Sequence, residues 1–213
     1  MITHHPAKDV LFAYAAGTTQ EAVSLVVATH LALCPDCRCS VSLAERAGGA
    51  MLENFAPEPM TTAAWERVQS RLDDLRPIHS AVPVPGRETG APEPLRTYLD
   101  GDLDSVRWIS VTRGLAYRPI LVGDCRVQLV RTKPGHRISL HTHGGDEFSL
   151  VLTGGFTDCS GQYRRGDFQT ATRELLHRPM ADKGEDCIIL TVADAPLMFR
   201  NPFVGLMAKL MGF

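Results

Sequence analysis

Two groups of residues in this chain have the types and the spacings of metal ligands. His30, Cys34 and Cys37 form an H-x3-C-x2-C cluster. Gly135, His141, His143, Glu147 and Gly154 form a G-x5-H-x-H-x3-E-x6-G box. Thiolate with imidazole is the ligand chemistry of a closed structural zinc site, whereas imidazoles with a carboxylate suit an open site in a small β-barrel.

The first cluster works on helical spacing. His30 and Cys34 stand four apart and share a helix face, and Cys37 follows one turn after the break at Pro35. A closed zinc site takes four ligands, so one more must come from elsewhere. His4 and His5 precede the first helix and can fold back. His5 is the preferred fourth ligand, with His4 and Cys39 as substitutes. The bland alternative makes His30 part of a polar stripe and the cysteines small core residues. A Cys-x2-Cys redox pair is expected beside a βαβ pattern, and none is present.

The second group works on strand spacing. His141 and His143 alternate along a strand and point to one face, and Glu147 opens the next strand after the Gly144-Gly145 turn. His177 is the natural fourth ligand, because a strand following the Gly166-Asp167 turn can return beside the pair. The set suits zinc, manganese, iron or nickel, and zinc is the first choice of divalent ion. The bland alternative is an empty cavity. His136 reads as a loop residue, and Cys159 and Cys187 as small buried residues.

These residues need elements to hold them. Asp9 is placed to cap a first helix that ends at Gly17, and Thr18 with Glu21 has capping-box spacing for a second. The second helix carries Val23, Val26, Val27, Leu31 and Leu33 and ends near Cys34. Pro35 suits the first turn of a third helix, running from Asp36 toward Leu52 past Gly48-Gly49. A fourth is expected from Thr61 or Thr62 to about Leu75, with Trp65, Val68, Leu72 and Leu75 on one face. Between Pro77 and Pro94 prolines and glycines crowd together, which reads as a linker with no core of its own. From about Leu95 the signals are β. Trp108–Val111, Pro119–Val122, Arg126–Thr132, Phe148–Leu152 and Asp186–Val192 are short apolar runs separated by glycine turns. That pattern favours a barrel or jelly roll. The apolar tail from Pro202 to Phe213 reads as a packed helix or an interaction segment.

The division is therefore a helical domain over 1–76, a linker over 77–94 and a β-domain over 95–213. The fold class is α+β multidomain: a small all-α metal-binding unit, then an all-β jelly-roll barrel. About 75 residues of thin helices bury little core, so a metal staple is expected to support them.

Composition narrows the function. Of the 213 residues, 44% are apolar and 22% charged, which is globular rather than disordered. A net charge of -2 gives no electrostatic footprint for direct nucleic-acid binding, and Arg164-Arg165 reads as a solvated doublet. No signal peptide is evident, and the apolar run Ala22–Leu33 is too short to span a bilayer, so a soluble, cytoplasmic protein with reduced cysteines is expected.

The segment His4-His5 … Tyr14-Ala-Ala-Gly17 … Ser24-Leu-Val-Val-Ala-Thr-His30-Leu-Ala-Leu-Cys34-Pro-Asp-Cys37 resembles the zinc anti-sigma domain. With the second box, the whole architecture resembles the ChrR-type anti-sigma factors, in which that domain precedes a cupin. The resemblance implies His5, His30, Cys34 and Cys37 as zinc ligands of the helical domain, and His141, His143, Glu147 and His177 as metal ligands of the cupin. It implies sequestration of an extracytoplasmic-function-type sigma factor, with the cupin needed for release under oxidants such as singlet oxygen. The second cupin box of the wider superfamily is only partly kept: the Gly-Asp turn and His177 remain, and Ala181 stands where an Asn is usual.

The rival function is a metal-dependent, dioxygenase-like cupin enzyme on a small substrate, and a third is a metal sensor without a sigma partner. The helical zinc unit favours the regulator, because a simple dioxygenase has no need of it. Two further expectations follow. Residues 1 to about 85 suffice for sigma binding, and part of the stripe Val23, Val26, Val27 and Leu31 faces that partner.

Overall fold

The computed structural model describes residues 1–61, 63–73, 90–99, 101–123, 125–201 and Gly205. Leu75, residues 77–89 of the expected linker and nearly all of the apolar tail lie outside them.

Among the described residues, five α-helices and eleven strands follow in order, with a 3-10 turn at Leu103–Ser105. The helices are α1 (Lys8–Ala15), α2 (Glu21–Leu33), α3 (Pro35–Glu53), α4 (Ala64–Asp73) and α5 (Glu93–Leu99). The strands are β1 (Ile109–Thr112), β2 (Leu115–Val122), β3 (Cys125–Thr132), β4 (His141–His143), β5 (Glu147–Thr153), β6 (Gly155–Asp158), β7 (Gly161–Arg164), β8 (Phe168–Ala171), β9 (Met180–Ala181), β10 (Cys187–Ala193) and β11 (Leu197–Phe199).

The first two helices start differently from expectation. α1 begins after Ala7, so Asp9 lies in its first turn instead of capping it. Its charge still favours that end of the helix dipole. Gln20, not Thr18, precedes α2. The Thr18 hydroxyl donates to the Ala13 carbonyl, and Glu21 accepts from the Tyr98 hydroxyl at 2.9 Å, so both capping-box side chains are engaged elsewhere. α1 ends where expected, with Gly17 at φ 68. α3 has Pro35 in its first turn and runs through Gly48-Gly49 to Glu53.

The main sheet runs β1-β2-β3-β10-β5-β8, with all neighbours antiparallel. A three-stranded sheet, β7-β6-β9, and the pair β11-β4 complete the barrel. Alternation along the central strands divides the main sheet into two faces. Val127, Leu129, Leu150, Leu152, Leu190 and Val192 face Ala22, Leu25 and Val26 of α2 and Leu95 of α5 in one core. Gln128, Val130, Ser149, Ile189 and Thr191 face the barrel interior. Both faces are covered, which is why these strands read as continuous apolar runs.

That core corrects three expectations. Strands do not begin at Leu95: residues 93–99 are helix α5, and the first strand begins at Ile109. Ala91, expected in a linker without a core, is fully buried. The apolar face of α2 does not wait for a partner, since Val26 lies on the sheet and Val27 and Leu31 pack with Leu11, Cys34, Cys37 and Val41. The two halves therefore share a core. Leu95 is the plug between α2 and the sheet, so Leu95→Ala is expected to cost about 2–5 kcal/mol, read as a lower denaturant midpoint of the full chain.

No single described helix is long and apolar enough to cross a membrane. α2 and α3 pass that test only as a pair, and they bend by 119° at their junction.

Candidate metal centres

The helical half gathers His5, His30, Cys34 and Cys37, whose ligand atoms all lie within 4.8 Å of one another. His5 Nδ1 lies 3.4 Å from Cys34 Sγ and 3.3 Å from Cys37 Sγ. A tetrahedral ion with metal–nitrogen and metal–sulfur bonds of about 2.0 and 2.3 Å has nitrogen–sulfur edges of about 3.5 Å. The observed spacings fit it. Cys34 ends α2 and Cys37 sits in the first turn of α3, so the break at Pro35 brings both thiols to one point.

His30 supplies the clearest sign. It is fully buried, and its Nδ1 stands 2.9 Å from the carbonyl oxygen of Gly166. A carbonyl only accepts, so Nδ1 carries the proton and Nε2 presents a lone pair. That Nε2 is buried with no hydrogen-bond partner. A buried acceptor beside two thiols and an imidazole suits a cation. Burial holds His30 down at about 4, partly offset by the Gly166 carbonyl, so the ring is neutral and ready to ligate. Burial, with Cys34 alongside, pushes the Cys37 thiol up to about 12. A bound divalent ion would reverse that preference and hold Cys37 as the thiolate.

The two substitutes for the fourth position are not in the cluster. His4 packs its ring on Tyr163 at 4.4 Å and lies 3.7 Å from Asp167, and Cys39 is exposed.

The barrel gathers His141, His143 and His177. An isolated antiparallel bridge, with hydrogen bonds of 3.1 and 3.0 Å between their backbones, sets His177 beside His141. His177 thus returns beside the pair, but through a single bridge and not the expected strand. His177 Nε2 lies 3.0 Å from His141 Nε2 and 3.1 Å from His143 Nε2. The proton bookkeeping again points to a cation. His141 Nδ1 donates to the Ser139 carbonyl at 2.8 Å, and His177 Nδ1 donates to Asp158 at 2.6 Å. Both Nε2 atoms then carry lone pairs that face each other. For a metal–nitrogen bond of about 2.0 Å, ligand edges are about 2.9 Å at right angles and about 3.3 Å in a tetrahedron. The observed edges fall between, which leaves coordination room toward the cavity. Burial takes His141 down to about 4, against the Ser139 carbonyl.

Glu147 stands to one side of this point. Its Oε2 is 3.6 Å from His143 Nδ1, a buried nitrogen without a hydrogen bond, and its Oε1 accepts from Ser149. Burial pushes the Glu147 carboxyl up, but His143 and His141 outweigh it and hold it below the usual range. An ionised Glu147 therefore lines the same cavity, of about 360 Å³, as His141 and His177. The rest of its wall is largely apolar, with Val130, Ile189 and Phe199 among it.

Asp158 is a partner of the histidine cluster that sequence reasoning misses. Its side chain is fully buried and accepts from His177, Ser160 and Gln169. In the sequence Asp-Cys-Ser-Gly reads only as a turn. Of the lone cysteines, Cys187 is buried as expected, whereas Cys159 is exposed, against expectation, at the β6–β7 turn.

Comparison with known proteins places the architecture. A family model described as the ChrR Cupin-like domain matches residues 99–196. The anti-sigma-E factor ChrR of Cereibacter sphaeroides is 38% identical over 201 residues, 94% of this chain and 93% of that protein. The crystal structure of Rhodobacter sphaeroides SigE in complex with the anti-sigma ChrR matches with a TM-score of 0.79 at 35% identity, covering 91% of this chain and 100% of that one. The chain belongs to the ChrR family, a helical unit joined to a cupin.

Proposed function

We propose that this ChrR-family protein is an anti-sigma factor that sequesters an extracytoplasmic-function-type sigma factor. The observation that carries the reading is full-length similarity, through both halves, to a ChrR that is found in complex with SigE. The role is regulatory rather than catalytic, and it belongs in the cytoplasm, where sigma factors meet RNA polymerase.

Zinc is the proposed ion of the helical cluster, held by His5, His30, Cys34 and Cys37. It would cross-link the chain ahead of α1 to the α2–α3 corner. The cupin ion, zinc by preference, would be held by His141, His143 and His177, with Glu147 proposed as the carboxylate ligand beside them. The chemistry such an ion supplies is a coordination position open to the cavity. The cupin would convey an oxidative signal, singlet oxygen among its sources, to the sigma-binding half. The domains are taken as helical over 1–76 and cupin over 95–213. Because α5 seals α2 onto the sheet, the boundary is one of sequence and not of packing.

The sigma-facing surface is assigned to α4 and the end of α3. Trp65, Val68 and Leu72 recur at helical spacing, and all are exposed, as are Met51, Leu52 and Phe55. Large apolar side chains uncovered together in this way mark a binding surface. The occupant is the sigma factor, given the homologous complex. Trp65→Asp combined with Leu72→Asp is expected to weaken sigma binding about thirtyfold or more, the scale of an interface hot spot. The thermal midpoint stays close to that of the parent, since neither side chain is buried. Calorimetric titration of sigma with the full chain checks it, and unchanged affinity would move the interface elsewhere.

A further inference from the structure

We infer that four consecutive barrel residues, Gly166–Gln169, position ligands of both metal centres and form the physical route between them. The inference rests on reading the two clusters as metal sites.

Each residue in turn touches either a ligand of one centre or a group next to such a ligand. The Gly166 carbonyl accepts from His30 Nδ1 at 2.9 Å and so orients Nε2 into the helical cluster. Asp167 is buried, and its Oδ1 accepts from the backbone N–H groups of Thr3 at 2.7 Å and His4 at 3.0 Å. Its Oδ2 accepts from the Arg164 N–H at 2.8 Å, which fixes the carboxylate in the turn. The Phe168 N–H donates to the His4 carbonyl at 3.0 Å, and its ring meets His30 edge-on at 5.7 Å. His5 follows His4 directly, so these bonds place the fourth ligand of the helical cluster. Gln169 Nε2 donates at 2.9 Å to the Asp158 oxygen that His177 Nδ1 reaches at 2.6 Å.

The chain ahead of α1 thus lies against the start of β8, and a barrel turn builds the outer shell of a cluster whose ligands all lie outside the barrel. Gly166 is required there. Its φ is +91°, and a Cβ would come within 2.5 Å of Ile2 Cδ1. On the far side, Gln169 and Asp158 hold His177 in the tautomer that leaves Nε2 for an ion. Outer-shell partners of this kind tune metal affinity as ligands do. Because they belong to one short segment, a shift of His177 is passed through Asp158 and Gln169 to the groups that set His5 and His30. Linkage makes the effect mutual: each centre alters the other's affinity by the same factor.

The test uses the full chain loaded with Co(II), because a thiolate-to-cobalt absorption band reports only the cysteine-bearing centre. Loss of that band to a chelator is followed over time. Asp167→Asn is expected to speed the loss about tenfold or more, on the scale of outer-shell substitutions. His141→Ala, which disables the barrel centre, is expected to speed it too, and to add nothing in a Gln169→Leu background. Circular dichroism checks folding. Should Asp167→Asn fail to fold, the His141→Ala comparison decides alone. A folded Asp167→Asn with the parent's rate, or a rate indifferent to His141→Ala, would overturn the inference while leaving both metal sites standing. A parent protein without the thiolate band would overturn the metal reading and this inference together.

Discussion

Cys34→Ser or Cys37→Ser is expected to empty the helical centre and release the sigma factor. Serine keeps the size of cysteine but offers no thiolate, so the tetrahedron loses one soft ligand. A structural zinc site contributes on the order of 10 kcal/mol of apparent binding free energy, and in small units that is folding free energy. The unit it supports here is thin: the core beneath it is Leu11, Val27, Leu31 and Val41 with the two cysteines themselves. Without the ion, the chain ahead of α1 loses its tie to α2 and α3. α2 itself stays in place, because Ala22, Leu25 and Val26 remain packed on the barrel sheet. The expected result is a protein with barrel strands and α2 retained, frayed α1 and α3, and sigma affinity lower by about a thousandfold, the scale of two interface hot spots lost together. Metal analysis and sigma titration on the same sample check it. Full inhibition by a zinc-free variant would show that the ion is dispensable to the sigma-binding fold.

Replacing His141 and Glu147 together by alanine has a different expected outcome. Sigma stays inhibited in unstressed cells, and the response to oxidant is lost. The reason lies in the two faces of the main sheet. His141 and Glu147 line the interior, whereas α2 and α5 sit on the opposite face, so the substitutions leave the shared core intact. A tenfold loosening of the helical centre through Gly166–Gln169 still leaves a structural zinc site full. What disappears is the difference between the barrel's two states, and a signal with no differential effect on two states shifts nothing. The induction ratio of sigma-dependent transcription is expected to fall to about one, within the range that a single lost coupling explains. A normal ratio would remove the cupin ion from the signalling route. Release of sigma before any stress would make the barrel part of the sigma-binding surface.

Ligand chemistry was the most legible part of the chain. Histidine, cysteine and glutamate at turn or strand spacing stand out because few other roles need those types together, and the fold brings seven of the eight named residues into two clusters with Glu147 alongside. Long periodic elements were legible too, as α2, α3 and the strands β3, β5 and β10 carry strong patterns. The strands β6 to β9 were not. They are two to four residues long and hold Gly, Asp, Gln and Arg, so no apolar run marks them. Helix α5 was hidden because seven residues after a proline-rich stretch give too few turns to reveal a period. Its single buried leucine, Leu95, looked like the first residue of a strand. The outer-shell residues were invisible for a further reason. Asp158 ends β6 just before a turn and Asp167 follows one, places where aspartate is common for local reasons, and only the three-dimensional path shows that one holds His177 and the other holds the backbone before His5.

The most direct measurement is a calorimetric titration of the cognate sigma factor with the full chain, before and after the ion of the helical centre is stripped. The expected result is a tight equimolar complex with the loaded protein, one that keeps sigma from core RNA polymerase, and its loss when that ion is removed. A loaded protein that does not bind sigma, or a stripped protein that binds it equally well, would contradict it.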